Sequence, residues 1–327
     1  MKYPRYWLPI FGLYSLVTIG LSSAQEAAAP KVSLTDKKVL WLGDSITQAG
    51  DYVTFVQYYL DKHFPDKKVD IISIGLASET TSGLSEKAHP FPRPCVLERL
   101  PRALDMVKPA VVVACYGMND GIYYPAGDDR MQAFQKGIHA LISQSKAAGA
   151  QVVLLSPPPF DKMPVKSLRP LDAPDFSFMT PYEDYDSVLG DFAKWEQTLS
   201  SGDALPIDLH TPIDDYLALR RRTNPKFGFT RDGIHPNPLG HLLMAETILE
   251  NLGYSIPFDA DLEKEWAAVK ADPLYALVKR QREGCSSGWL AYVGYTRQKQ
   301  VKANSVDQAG QAGANLQIQI DKLRKGQ

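Results

Sequence analysis

Three short segments carry side chains that together could perform acyl transfer. Gly43-Asp44-Ser45-Ile46-Thr47 places a serine just past the apolar run Val39-Leu40-Trp41-Leu42. A hydroxyl at neutral pH attacks a carbonyl poorly until a base removes its proton and hydrogen-bond donors receive the charge that develops on oxygen. Asp232-Gly233-Ile234-His235 supplies a base and a carboxylate three residues apart in one loop. A neutral imidazole at His235 could take the Ser45 proton and return it to the leaving group, with Asp232 fixing the tautomer. Gly117-Met118-Asn119-Asp120 supplies an asparagine whose side-chain amide could donate to an oxyanion. Asp120 and Asp44 read differently, as carboxylates that accept local hydrogen bonds and secure turns. The remaining histidines, His63, His89, His139, His210 and His241, show no comparable carboxylate partner and read as structural or surface residues.

Such a set needs a scaffold that brings distant segments to one edge. After residue 37, apolar runs rich in β-branched residues alternate with segments of helical period, which predicts an α/β fold with a parallel sheet. The expected strands are 38–42, 69–74, 110–116, 152–155 and 205–209, with helices at 52–63, 96–107, 131–148, 185–199 and 212–222 and a last core helix from Pro238 through Ile248. Five strands joined by crossovers predict a three-layer α/β/α sandwich of flavodoxin-like topology, which exposes reactive groups at the carboxyl ends of its strands. Two loops are expected on that side. One, Ser156 to Pro181, is rich in proline and carries Phe160, Phe176 and Phe178 as candidate walls of an acyl groove; the other is Ala88 to Pro94.

Taken together, the Ser45, Asn119 and Asp232/His235 segments, in this order, resemble the nucleophile, asparagine and histidine blocks of the SGNH (GDSL-type) hydrolase superfamily. The resemblance spans about residues 37–253, taken as the hydrolase domain. It implies a serine esterase with Ser45, Asp232 and His235 as catalytic residues and no metal or other cofactor. It also implies an oxyanion hole built from the Ser45 backbone N–H, the Asn119 side chain and a backbone N–H from one further block. In that block, Ser73-Ile74-Gly75-Leu76-Ala77-Ser78-Glu79-Thr80, aligning Thr80 with the family's hydroxyl residue puts Ser78 where the family has glycine; a shifted alignment makes Gly75 the donor. Any residue but proline supplies an N–H, so the departure leaves the triad untouched.

The chain of 327 residues is long enough for a sizeable core, and 36 basic against 37 acidic residues give no reason to expect nucleic acid or an anionic membrane surface as partner. Met1 to Ala24 has the charged, apolar and small-residue order of a signal peptide, so export to the periplasm or the extracellular space is expected. Left uncleaved, the same segment would anchor the protein to a membrane. The three cysteines, Cys95, Cys115 and Cys285, are too few for a disulfide framework; Cys115 reads as core, and a Cys95–Cys285 bridge is left open. An α/β-hydrolase elbow is disfavoured because the glycine it uses two residues after the nucleophile is Thr47 here.

Residues 254–327 form an extension. Leu262, Trp266, Val269, Leu274, Leu277 and Val278 predict one or two helices packed on the sandwich or covering the site's rim, and the segment beyond Gln298 reads as a loosely attached helix or tail. The expected substrate is a small-molecule or glycan ester, with short acyl groups on carbohydrate ahead of lysophospholipid-like esters. The contrasting expectation is a non-catalytic carbohydrate-binding envelope protein. An intact nucleophile, base and oxyanion set argues against that last reading.

Overall fold

The computed structural model describes residues 29–326 except 200, 201 and 203; the expected signal peptide lies outside the described residues. Five strands, β1 (Lys38–Gly43), β2 (Asp70–Ser73), β3 (Val111–Cys115), β4 (Gln151–Leu155) and β5 (Leu205–Ile207), pair in the order β2-β1-β3-β4-β5, all parallel. β3 is buried along its whole length and β1 everywhere past Lys38, the pattern of a sheet covered on both faces. The chain steps from β1 outward to β2, then back across β1 to β3. Right-handed crossovers therefore put the connecting helices on opposite faces. A crevice opens between the carboxyl ends of β1 and β3, which lie level because Gly43 pairs with Cys115.

The helices are α1 (Ser45–Ala49), α2 (Asp51–His63), α3 (Leu100–Val107), α4 (Asp128–Ala147), α5 (Tyr185–Glu196), α6 (His210–Arg221) and α7 (Pro238–Leu252). Packing of α2 on α7 and of α3 on α4 forms parts of the two outer layers. The single helix expected over 96–107 is instead a 3₁₀ turn, Val96–Glu98, followed by α3. Pro101 explains the break, since its locked φ and missing N–H suit the first turn of a helix and not its interior. The expected strand 205–209 ends at Ile207, and the N–H groups of Leu209 and His210 turn to the Ser156 hydroxyl instead.

The extension folds back as α8 (Leu262–Ala271), α9 (Pro273–Val293) and α10 (Val306–Arg324). α9 packs on α2 and beside β2, and α10 lies along α9. The expectation of a loosely attached end is corrected here. A capping box at Ser305 and Gln308 starts α10, and Ile320 is fully buried. Gly313 backs onto Cys285 so closely that a Cβ would stand 2.7 Å from its sulfur. The Arg324 guanidinium, itself nearly buried, pairs with Asp61 at 3.1 Å and donates to the carbonyls of Phe64 and Pro65. All three cysteines are free thiols: Cys95 Sγ faces the Thr81 carbonyl and Cys285 Sγ that of Ala309. Among the described residues no helix is long and apolar enough to cross a membrane.

Candidate active site

Ser45 opens α1 directly after β1. Asp44 caps that helix by accepting the Ile46 N–H at 2.9 Å, and the Thr47 hydroxyl meets Tyr52, which also takes the Trp41 indole N–H. These contacts tie the short helix to the strand before it and the helix after it. The Ser45 N–H has no acceptor among the described residues, as expected for the first turn of a helix.

The histidine arrives from the far end of the sequence. Asn237 accepts the N–H groups of Leu239 and Gly240 to start α7, which fixes the loop just ahead of it. In that loop Asp232 folds back, one oxygen accepting the N–H of Ile234 and of His235 and the other standing 2.7 Å from His235 Nδ1. His235 Nε2 lies 2.9 Å from Ser45 Oγ. The three residues thus form one hydrogen-bonded chain across 190 positions of sequence. The hydrogen bond to Asp232 raises the His235 pKa above its ordinary value. Asp232 is held well below the usual carboxylate range, its partial burial outweighed by the bonds it receives from the His235 ring and the two backbone N–H groups.

Asn119 follows β3 across the crevice. Its Oδ1 accepts the Tyr123 hydroxyl at 3.1 Å, which fixes the amide so that Nδ2 faces the Glu79 carbonyl at 3.2 Å and Asp44 Oδ2 at 3.4 Å. The second contact is long, and Asp44 is a weak anion there because burial pushes its pKa up to about 7. A full oxyanion would compete for that N–H. Asp120 is fully buried and accepts from Thr81, Ser82 and Gly117, joining the Asn119 turn to the segment that carries Ser78.

Ser78 and Gly75 part company. Ser78 lines the cleft with Ser45, Asn119 and His235, and its N–H has no acceptor among the described residues. It sits in the left-handed region at φ 70°, the conformation that favours glycine, which accounts for the residue type common at this place in the resembled family. Its neighbours hold it there. Glu79 is locked by Arg99 at 2.6 Å through two bonds and by the Tyr116 hydroxyl, and Arg93 Nη1 reaches the Ser78 carbonyl at 3.3 Å. Gly75 instead backs onto α1, where a Cβ would stand 2.4 Å from the Gln48 nitrogen, and it lines a different cavity.

The cleft measures about 230 Å³ and is walled by Tyr123, His89, Phe91, Arg93, Phe178 and Arg297. Larger cavities, about 460 and 520 Å³, lie at β2 with α9 and α10 and near Pro30, and neither is lined by Ser45, Asn119 or His235. Of the three phenylalanines expected to form a groove, only Phe178 lines the cleft. Phe160 packs on Tyr185, and Phe176 on Tyr124 and Tyr182. His89, read from sequence as structural or surface, is part of the wall; the loop 88–94 that carries it was the available signal. His210, read as lacking a carboxylate, meets Asp186 at 3.2 Å, and neither residue lines the cleft. Nothing in the sequence around Arg297 marked it.

A five-stranded parallel sheet with a serine, a histidine and a carboxylate in one relay at its crevice defines the class of the serine ester hydrolases. The chain belongs to the GDSL-like Lipase/Acylhydrolase family, which it matches over residues 41–243. No curated protein matches it. Among solved structures, BT4096, a gut microbial diltiazem-metabolizing enzyme, is similar at a TM-score of 0.54 and 19% identity over 69% of this chain. This chain spans about half of that one, 48%. Axe2, an acetylxylan esterase from Geobacillus stearothermophilus, aligns at 18% identity over 68% of this chain and 96% of its own, with a TM-score of 0.47. LAE5, an alpha/beta hydrolase enzyme from the metagenome of Lake Arreo, aligns at 20% identity, 69% and 99% coverage and a TM-score of 0.47. At 19% identity the likeness to BT4096 speaks to fold alone.

Proposed function

We propose that this esterase is exported and that it removes short acyl groups, acetyl foremost, from carbohydrate through an acyl-enzyme. The observation that carries the mechanism is the relay Ser45 Oγ, His235 Nε2, His235 Nδ1, Asp232 Oδ2, at 2.9 and 2.7 Å. His235 takes the Ser45 proton as Oγ bonds to the ester carbonyl carbon. The carbonyl oxygen, now negative, is held by the N–H groups of Ser45 and Ser78 and by Asn119 Nδ2. Collapse of the adduct breaks the bond to the alcohol, which leaves with the proton from His235. Water then repeats the sequence on the acyl-enzyme, releasing the acid and restoring Ser45.

A short acyl group fits the small cleft, in which Phe178 alone remains of the expected apolar groove. Aromatic faces at Phe91 and Phe178 suit the C–H faces of a sugar ring. Export rests on the order of residues in Met1 to Ala24. The test is hydrolysis of 4-nitrophenyl acetate and acetylated xylooligosaccharides by purified protein, with Ser45→Ala as control. Both esters are expected to be cleaved by the native chain and neither by the variant; undiminished turnover by Ser45→Ala overturns the mechanism, and preference for long-chain lipid esters overturns the substrate.

A further inference from the structure

Arg297 is an uncompensated cation in the wall of the cleft. It comes from the extension, four residues past α9, in a segment anchored where Arg102 donates to the carbonyls of Val293 and Gly294 at 3.0 and 3.3 Å. Its guanidinium lies over the Phe91 ring, 5.9 Å from the centroid. Its Nε is buried, without a hydrogen-bond partner, and among the described residues the side chain makes no ion pair. The other arginine of the cleft, Arg93, is spent: Glu86 grips it through two bonds of 2.6 Å. The carboxylates nearest the chemistry are also engaged, Asp232 by His235 and Asp44 by Ile46.

A buried N–H with nothing to donate to costs free energy, and a charged one costs more. We infer that Arg297 receives a carboxylate of the substrate, so that the preferred ester is an acetylated acidic carbohydrate carrying a uronic acid. The planar fork of one guanidinium matches a carboxylate through two parallel hydrogen bonds. Among the described residues Arg297 is the one unpaired cation on the cleft's aromatic wall, which suits that monoanion on a sugar better than a lipid phosphate, for which the small cleft offers no acyl channel. Because the cleft is smaller than the roughly 300–1,000 Å³ of sites that enclose a whole ligand, the ester and the carboxylate lie on the same or adjacent sugars. This reading deepens the proposed esterase function and rests on it for the ester, while the anion site itself is a matter of binding.

The experiment compares acetylated xylooligosaccharides with and without a glucuronate branch. The native enzyme is expected to favour the acidic substrate by about tenfold in kcat/KM, mainly through KM, as one charge-assisted contact allows. Arg297→Gln brings the ratio near one, Arg297→Lys keeps part of it, and added salt reduces it in the native enzyme. A parallel titration of Ser45→Ala with deacetylated, glucuronate-branched oligosaccharide by calorimetry reads the site without turnover. Binding lost on adding Arg297→Gln supports the site even if neither ester is cleaved, a result that would sink the esterase reading alone. A ratio of one in the native enzyme, a ratio unmoved by Arg297→Gln, or Arg297-dependent selection of lysophospholipid over the acidic glycan overturns the inference.

Discussion

The Tyr123 hydroxyl donates to Asn119 Oδ1 at 3.1 Å, and this bond, with the Glu79 carbonyl 3.2 Å from Nδ2, sets which way the Asn119 amide is turned in the cleft. Tyr123 is itself buried, held over Arg93 and stacked on Tyr185 in the left-handed conformation at φ 64°. Tyrosine adopts that conformation only at a cost, which the surrounding packing offsets.

Tyr123→Phe keeps the ring and removes the bond. The amide of Asn119 then loses its fixed orientation, and kcat is expected to fall about tenfold with KM nearly unchanged, since the lost contact acts through the oxyanion of the transition state. Asn119→Ala should cost more, about 10²–10³ in kcat. Steady-state kinetics on 4-nitrophenyl acetate check both; a Tyr123→Phe enzyme with native kcat would refute the positioning role.

Activity should depend on pH through His235. Protonated imidazole cannot accept the Ser45 proton, and the bond to Asp232 raises the pKa above its ordinary value of about 6.5, so kcat/KM should fall on acidification with a midpoint above that value. Asp232→Asn removes the bond that raises the pKa. The midpoint should move to lower pH, and the plateau should drop about 10⁴-fold as the tautomer is lost. A rate that stays flat between about pH 5 and 8 contradicts the assignment.

Asp120 is expected to matter for stability rather than for chemistry. Asp120→Ala strands the N–H groups of Thr81, Ser82 and Gly117 in a buried place, at about 1–3 kcal/mol for each donor left unpaired. Urea unfolding should show a loss of about 3 kcal/mol or more. A variant that melts within about a degree of the native protein would show that other groups fill the role.

The extension also supports the nucleophile from below. Arg282 of α9, nearly buried, donates to the carbonyl of Ala49, the last residue of α1, and to the Thr54 hydroxyl of α2. Arg282→Met keeps much of the packing and removes both donors, so a loss of about 2 kcal/mol in stability is expected. Ser45 turnover should fall with it, measured at a temperature well below the melt. Full activity in Arg282→Met would mean that α1 holds Ser45 without help from α9.

What the sequence made legible follows from how each feature is encoded. β1, β3 and β4 stand out as apolar runs because a sheet buried on both faces needs apolar residues at nearly every position. Ser45, Asn119, Asp232 and His235 were legible because each sits in a turn at a strand or helix end, where residue type is constrained by chemistry. The docking of α10 was not, since its contact face uses Gly313 and Ala309 against α9 and a buried arginine at Arg324, none of which adds to apolar periodicity. Phe160 and Phe176 turned inward for a similar reason: a proline-rich loop has no period from which to read a facing direction. Arg297 lies in a polar stretch where only the third dimension shows that its neighbours lack a counter-charge.

β2 is the outermost strand on one side, and α9 packs beside it with α10 lying along α9, while the opposite margin of the sheet is β5, three residues long with Pro206 at its centre. A proline and a short strand give a second chain little to pair with, so the open margins are guarded by quite different means. The two guards also arrive at different times. Ribosomes complete the sheet once residue 207 has emerged, but the screen over β2 is made of residues 273–324, synthesised afterwards. A nascent chain therefore carries an adhesive flank for the interval between those two points, and a stop or slow translation there should drive it into aggregates that the finished protein avoids.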